Sequence, residues 1–245
     1  MAKKLTKKIF FSGTAALTSG LHIGGSNLSM AIGGADAVIV RNPVNNQPYI
    51  PGSSLKGKMR SLTEKLLGAY EKGKMGAVEW VPYTGTKDGD TQMKEIRQVI
   101  VDLYGRIASG DNENIPSRII VRDAEMHLDS VNELRDSEYT DMPFSEVKTE
   151  VVIDRVTSAA MPRQLERVPA GTKFNISIVL NVFEDDNEQK LVDYVKVGLR
   201  LVEDDFLGGK GSRGSGQVSF DWDNFRITYK DLESYEKDEA AKPYK

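Results

Sequence analysis

The chain contains no cysteine, which excludes disulfides and thiolate metal sites and makes a reducing cytoplasm the expected location. Histidine is almost as scarce. His22 and His127 are the only two, too few for an imidazole cage, so any metal is expected to be a hard, oxygen-liganded ion such as Mg²⁺. No apolar run approaches the roughly 18 residues that a membrane span needs. The start, Met1-Ala2-Lys3-Lys4-Leu5, lacks the apolar region of a signal peptide, so no membrane partner is expected. Acids are nearly missing from the first 60 positions, where Asp36 stands alone against eight Lys/Arg at 3, 4, 7, 8, 41, 56, 58 and 60. That quarter carries +7 while the whole chain is −3, so residues 61–245 carry −10. A lone carboxylate within a basic, glycine-lined stretch is a place where a polyanion can be both held and attacked.

What is present is enough for a full core. At 245 residues and 39% apolar, the chain can form one large domain or two small ones. Ile9, Phe11, Gly13, Ala15 and Leu17 alternate with mostly polar neighbours, a half-buried strand. Residues 18–36 are rich in Gly and Ser and read as a surface loop, followed by a short strand at Val38-Ile39-Val40. A helix is expected to start near Ser53 or Ser54, either a good N-cap, with Leu55, Met59, Leu62, Leu66 and Tyr70 on one side. A second helix is expected over 92–104 and a strand over Ile119–Met126. The polar stretch Asp129–Glu150 is expected to be mobile, and Val151–Ile153 with Gln164–Val168 to form two arms of a hairpin. Phe174, Ile176, Ile178, Leu180 and Val182 alternate most cleanly of all. Asp186 and Gln189 then suggest a capping box for a helix carrying Leu191, Val195, Val202 and Phe206. A glycine loop at 208–216, strands at 218–222 and 225–229, and a frayed tail from Asp231 complete the expectation. This order fits an α+β, ferredoxin-like (RRM-like) domain over 1–245, with insertions near 18–36, 72–118 and 129–172. No internal repeat is evident.

Two motifs tempt and fail. Gly52–Lys58 matches the first seven positions of a phosphate-binding P-loop, but the eighth must supply a hydroxyl to Mg²⁺ and is Met59. What survives is a helix start with free amides, the hydroxyls of Ser53 and Ser54, and Lys56, Lys58 and Arg60, a set that can hold a phosphate or simply be solvated. Gly209, Gly211 and Gly214 match the dinucleotide fingerprint. That motif must follow a strand and open a helix, whereas this one follows a helix and opens a strand. Five glycines in nine residues, with Lys210 and Arg213, instead make a cationic loop whose amides can approach a sugar-phosphate backbone.

The Gly33-Gly34-Ala35-Asp36 loop, the helix start Ile50–Arg60, the glycine loop 208–216, and the segments Ile153–Thr157 and Pro162–Val168 occur in one order over most of the chain. Together they resemble the repeat-associated (RAMP) RNA-binding superfamily of CRISPR systems, and within it the backbone subunits of type III-A (Csm) effector complexes. The resemblance implies copies stacked helically along one guide RNA, beside other subunits of the complex. It implies a hairpin near 150–168 acting as a thumb that displaces one nucleotide of the guide–target duplex at regular intervals. It also implies that the aspartate matching Asp36, with a divalent metal, is required to cut single-stranded target RNA beside each thumb.

The residues are compatible with that chemistry. RNA carries its own nucleophile, the 2′-hydroxyl, which the protein must chiefly orient in line with the scissile phosphate. Asp36 would accept the 2′-hydroxyl proton or hold a Mg²⁺; the sequence leaves both open, along with a plain turn role. His22 is expected to hydrogen-bond RNA or to brace its own loop. Arg155, Arg163 and Arg167 would bind phosphate, stack on bases, or remain solvated. Two other readings stay open: a non-catalytic RNA scaffold whose partners cut, and a guide-processing nuclease, disfavoured by two histidines far apart.

Overall fold

The first strand, β1 (Leu5–Leu17), buries Ile9, Phe11, Ala15 and Leu17 on one side, as its alternation dictates. It belongs to a computed structural model that describes residues 3–25, 37–72, 79–82, 91–106 and 114–244. The elements that follow are β2 (Tyr49–Ile50), α1 (Gly52–Leu67), β3 (Ala69–Lys72), β4 (Glu79–Pro82) and α2 (Thr91–Tyr104). Next come β5 (Ile119–Val121), β6 (Ala124–Glu125), α3 (Leu128–Leu134), β7 (Glu146–Ile153), β8 (Ala160–Arg167) and β9 (Lys173–Phe183). The chain closes with α4 (Glu188–Asp204), a 3₁₀ turn at Gly211–Arg213, β10 (Val218–Phe220), β11 (Arg226–Asp231), α5 (Leu232–Glu236) and β12 (Lys242–Pro243).

The sheet is built on β1. One edge pairs with β9 over nearly its whole length, from Leu5↔Phe183 to Ala16↔Lys173. The other edge pairs with β11 and then β10. With β5 outside β9 and β12 outside β11, every neighbouring pair is antiparallel. α1 contributes Leu55, Met59 and Leu62 to the core, and α4 contributes Leu191, Val195, Leu199 and Val202, all joined to Ile9 and Phe11 in one buried cluster. Tyr104 closes the packing of α2, its hydroxyl 3.3 Å from Thr63 Oγ1, and burial pushes its phenol up to about 12. The reverse face of β1, carrying Lys8, Phe10, Ser12 and Thr14, stays partly exposed. Among the described residues no helix is long and apolar enough to cross a membrane.

Several local expectations give way to tertiary partners. The cap of α1 is Pro51, not Ser53 or Ser54: its carbonyl accepts the Ser54 and Leu55 N–H, and Asp123 Oδ1 accepts the Gly52 N–H at 2.7 Å. Gly68 stops the helix in the left-handed region (φ 64°), so Tyr70 falls in β3, and Leu66 is 58% exposed. The Ile119–Met126 segment is two strands, since β5 pairs with β9 and β6 with β2. Asn187, not Asp186, caps α4; Asp186 instead neutralises the buried Arg118 at 3.0 Å. Phe206 lies beyond the end of that helix. The stretch from Asp129 holds most of α3, whose N-cap His127 accepts the Asp129 N–H, and the start of β7. The tail is ordered by the Asp231 cap of α5, by β12 on β11, and by Tyr244 packed edge-on against Tyr229 at 6.4 Å.

One carboxylate ties α4 to the strand that leaves the glycine loop. Glu203 accepts the Phe220 N–H at 2.6 Å and the Trp222 indole N–H at 2.8 Å. Hydrogen bonds to charged groups contribute about 1.5–3 kcal/mol. Glu203→Ala is therefore expected to lower stability by about 2–3 kcal/mol, read as a lower urea midpoint at unchanged slope. An unchanged midpoint would remove this tie from the account of the fold.

Candidate nucleic-acid interface

Three segments far apart in sequence meet at one end of the sheet, where β1 ends and β9 and β10 begin. The chain leaving β1 pairs with the strand-like segment 37–41: Gly25 donates to the Val38 carbonyl at 3.0 Å, and Val40 donates to Ile23 at 2.9 Å. Val38–Val40 is thus not a strand of a sheet but a run of isolated bridges. Asp36, expected as catalyst and metal ligand, lies outside the described residues. Its neighbour Ala37 is bridged to Leu165 of β8 and accepts the Glu166 N–H at 3.0 Å.

Glu166 is the hub of this junction. It is 2% exposed. Its carboxylate accepts from Arg41 Nη2 at 2.6 Å, Ser145 Oγ at 2.7 Å and the Ile39 N–H at 2.9 Å. Arg41 is fixed in turn by the carbonyls of Asn46 and Pro143. The Glu166 carbonyl lies 2.7 Å from His22 Nδ1, and the His22 carbonyl accepts the Gly209 N–H at 2.8 Å. His22 therefore has the loop-bracing partner that the sequence offered as its alternative role.

The glycine loop is shaped first by its own protein. A Cβ on Gly216 (φ +83°) would stand 1.9 Å from the Leu207 carbonyl oxygen, and one on Gly211 would enter the Phe206 ring at 2.0 Å. Both glycines are required by close approach within the chain, a packing need that the sequence reading assigned to a ligand. Lys210 adopts the left-handed conformation (φ 63°) and is exposed. Arg213 reaches across to β7, its Nη1 3.1 Å from Glu150 Oε2, so the loop and the hairpin are linked.

The hairpin arms are longer than expected: β7 and β8 pair from Glu146↔Arg167 to Ile153↔Ala160. Asp154 nucleates the turn by accepting the Val156 and Thr157 N–H, which hold its carboxyl below the ordinary range. Arg155 and Arg163 are exposed on this hairpin. Arg167 pairs with Glu146 at its base.

The α1 start differs most from its expectation. Ser53 is exposed and Ser54 half-buried, but the place for an anion at this helix end is taken by Asp123. Lys56 donates to Ser117 Oγ at 2.8 Å and to the Ile119 carbonyl; burial, then the nearby Arg60 charge, lowers its pKa. Lys58 pairs with Asp205 at 3.2 Å and lies 3.5 Å from the Phe206 ring centroid. Arg60 pairs with Glu64 at 2.7 Å. Each cation thus has a protein partner, and Lys58 ties α1 to the entry of the glycine loop. Among the described residues no three His, Asp or Glu side chains converge as a metal site. Sequence reasoning missed Glu166, Arg41, Ser145 and Asp123. The pairings that join them across segments span 21 to 127 residues, and no local pattern signals them.

Burial alone would raise the Glu166 carboxyl, but the hydrogen bonds from Arg41, Ile39 and Ser145, with the Arg41 charge, outweigh it and hold the group below the ordinary carboxylate range. A depressed folded pKa stabilises the fold fully above the unfolded value, and that contribution is lost as pH falls through the folded value. Glu166→Gln leaves the half-buried Arg41 without its counter-charge and weakens its hydrogen bond, a loss of about 1.5–3 kcal/mol at neutral pH. Urea unfolding is expected to show this loss and a flatter stability profile for the variant as pH falls from neutral through and below the ordinary carboxylate range. Parallel profiles for variant and parent would assign the acid sensitivity to other groups.

The family model of the RAMP superfamily matches residues 14–219. Two relatives are each named CRISPR system Cms endoribonuclease Csm3. The one from Methanothermobacter thermautotrophicus is 37% identical, covering 95% of this chain and 90% of its own. The one from Streptococcus thermophilus is 38% identical, covering 87% of each. The fold is similar to the crystal structure of Methanopyrus kandleri Csm3, with a TM-score of 0.64 at 20% identity over 96% of this chain and 80% of that one. The chain belongs to the RAMP superfamily, as a member of its Csm3 family.

Proposed function

We propose that the chain is an endoribonuclease subunit of a type III-A CRISPR effector complex. In this reading it grips a guide RNA, stacks helically with copies of itself beside the other subunits, and cuts paired single-stranded target RNA at regular intervals. The observation that carries the reading is the convergence of three segments at one end of the sheet: the chain flanking residues 26–36, the base of the β7–β8 hairpin, and the glycine loop. The relatives' shared name, endoribonuclease, supports it. The strand order β11–β1–β9–β5, with α1 and α4 packed on one face, supports a ferredoxin-like core. The β7–β8 hairpin is then the thumb.

RNA supplies the 2′-hydroxyl nucleophile, so the protein's task is orientation. The thumb displaces one nucleotide, with Arg155, Arg163 and the exposed Met161 on its outer part. This splays the backbone and makes in-line geometry reachable. The amides and cations of Gly209, Lys210, Gly211 and Arg213 bind guide phosphate, with Arg167 at the thumb base. Arg213 exchanges Glu150, and Arg167 exchanges Glu146, for a phosphate; partly exposed ion pairs are worth about 0–1 kcal/mol, so the exchange costs little. Ser53, Ser54, Lys56, Lys58 and Arg60 act mainly through the positive field of the α1 start, because each of these cations already has a protein partner. His22 holds the glycine loop against the thumb base and faces the RNA path. Asp36 would serve as general base or would be a carboxylate ligand of a divalent metal. Such a metal supplies charge neutralisation at the scissile phosphate.

Asp36→Ala is expected to leave guide content and target affinity intact while cleavage falls by roughly 10²–10⁴-fold. The measurement is product formation by complexes assembled from variant subunits with Mg²⁺ present. Wild-type cleavage would establish a scaffold whose partners cut. Replacing Val152–Met161 by an Asn-Gly turn keeps Leu165 and Glu166, and hence the hub. It is expected to leave the fold intact and abolish the regular spacing of cuts on a sequencing gel. Unchanged cut positions would remove the thumb from the mechanism.

A further inference from the structure

We propose that the helix-free face of the central sheet is a second binding surface for single-stranded RNA, held through its phosphates. The helices pack against Ile9, Phe11, Ala15 and Leu17, so the alternate residues of each strand look the other way. Five cations stand on that side: Lys8 of β1, Arg122 just beyond β5, Lys173 of β9, and Arg226 and Lys230 of β11. Register fixes their side: Lys230 pairs with Lys8, Arg226 with Ser12, and Lys173 with Ala16, all on the outward face of β1. Arg122 follows Ile120, which is 47% exposed, and donates its N–H to the Ser177 carbonyl at 3.1 Å.

No outward position within β1, β5, β9, β10 or β11 carries a carboxylate, in a chain whose residues 61–245 sum to −10; Asp221 just beyond β10 and Glu125 of β6 flank the face at its end and edge. An ordinary solvated face intersperses both signs. Arg122, Lys173 and Arg226 are exposed, and among the described residues none has a side-chain partner. Lys230 lies 5.5 Å from the ring centroid of Tyr235, itself 50% exposed, so a cation and an aromatic face sit together where a base can stack. A protein partner would need an apolar centre, and among the described residues the large apolar side chains well exposed on these strands are Ile120 and, at the far end of β1, Leu5, which do not form one patch.

The surface is also continuous with the interface described above. A cleft of about 380 Å³ opens at the end of the sheet where the glycine loop enters β10, lined by Thr14, Ala16, His127, Lys173 and Ser219, with Asp221 its one carboxylate. From there to Lys8 the face runs about 27 Å along β1. A strand of RNA leaving the glycine loop has a cationic track to follow. This surface does not depend on where the catalyst lies.

The test uses the full chain and a fluorescent oligouridine, with affinity read by anisotropy over a salt series. The triple variant Arg122→Gln, Lys173→Gln, Arg226→Gln removes three phosphate contacts. It is expected to weaken binding at least tenfold at low salt and to reduce the slope of log K against log [salt] by about 2, at about 0.7 per contact. Thermal unfolding checks that the variant is folded. The comparison variant Lys210→Glu, Arg213→Glu tests the glycine loop separately. If only the comparison variant loses affinity, the sheet face is merely solvated and the proposal fails. If only the triple variant loses affinity, the sheet face stands and the glycine-loop grip falls. Unchanged RNA binding with lost assembly of the complex would make the face a protein dock and overturn the proposal.

Discussion

The buried carboxylate of Glu166 is the constraint on which the interface end of the molecule depends. A charge taken out of water must be paired and hydrogen-bonded or it neutralises. Glu166 meets that requirement with the Arg41 guanidinium, the Ser145 hydroxyl and the Ile39 N–H. Those donors come from two segments and the acceptor from a third, so satisfying one carboxylate fixes the chain after residue 36, the approach to the hairpin and the hairpin base together. The backbone of the same residue extends the junction to Ala37 and His22, and His22 passes it on to Gly209. Loss of the Glu166 charge would therefore free several loops at once.

Electrostatics elsewhere follow the same logic. The basic first quarter of the chain does not present its α1 cations bare to solvent. Lys58 sits against Asp205 and Phe206, Arg60 against Glu64, and Lys56 on Ser117 and the Ile119 carbonyl. The helix end itself is answered by Asp123. The acidic remainder of the chain thus supplies counter-charges to the basic part, which a sum over segments does not reveal. On the hairpin and glycine loop the pairs are looser. Arg213 is itself 56% exposed in its pair with Glu150. Gradation from deep to shallow pairing separates cations that hold the fold from cations able to change partners.

Composition and periodicity determined a good deal. The alternations at Ile9–Leu17 and Phe174–Val182 became the two paired strands at the centre of the sheet, because a period of two has one structural solution when one face is apolar. The helical stripes at Leu55–Leu62 and Leu191–Val202 became the helices that cover them. The order of motifs was enough to indicate the family. Failures fell where a local signal competed with a distant partner. Asp186 looked like a cap and serves Arg118; Ser53 and Ser54 looked like caps beside Asp123; the tail looked frayed but finds the edge of β11.

The sequence by itself thus determined the two central strands and the two helices that cover them, where glycine and charge concentrate, and that the first sixty residues are basic around a single acid. Tertiary structure alone decided which charges face each other. It joined Glu166 to Arg41 across 125 residues and Arg213 to Glu150 across 63, and it put five cations on one face of the sheet. Periodicity is a property of neighbours along the chain, whereas charge pairing depends on the register of strands distant in sequence, which is set only when the core closes.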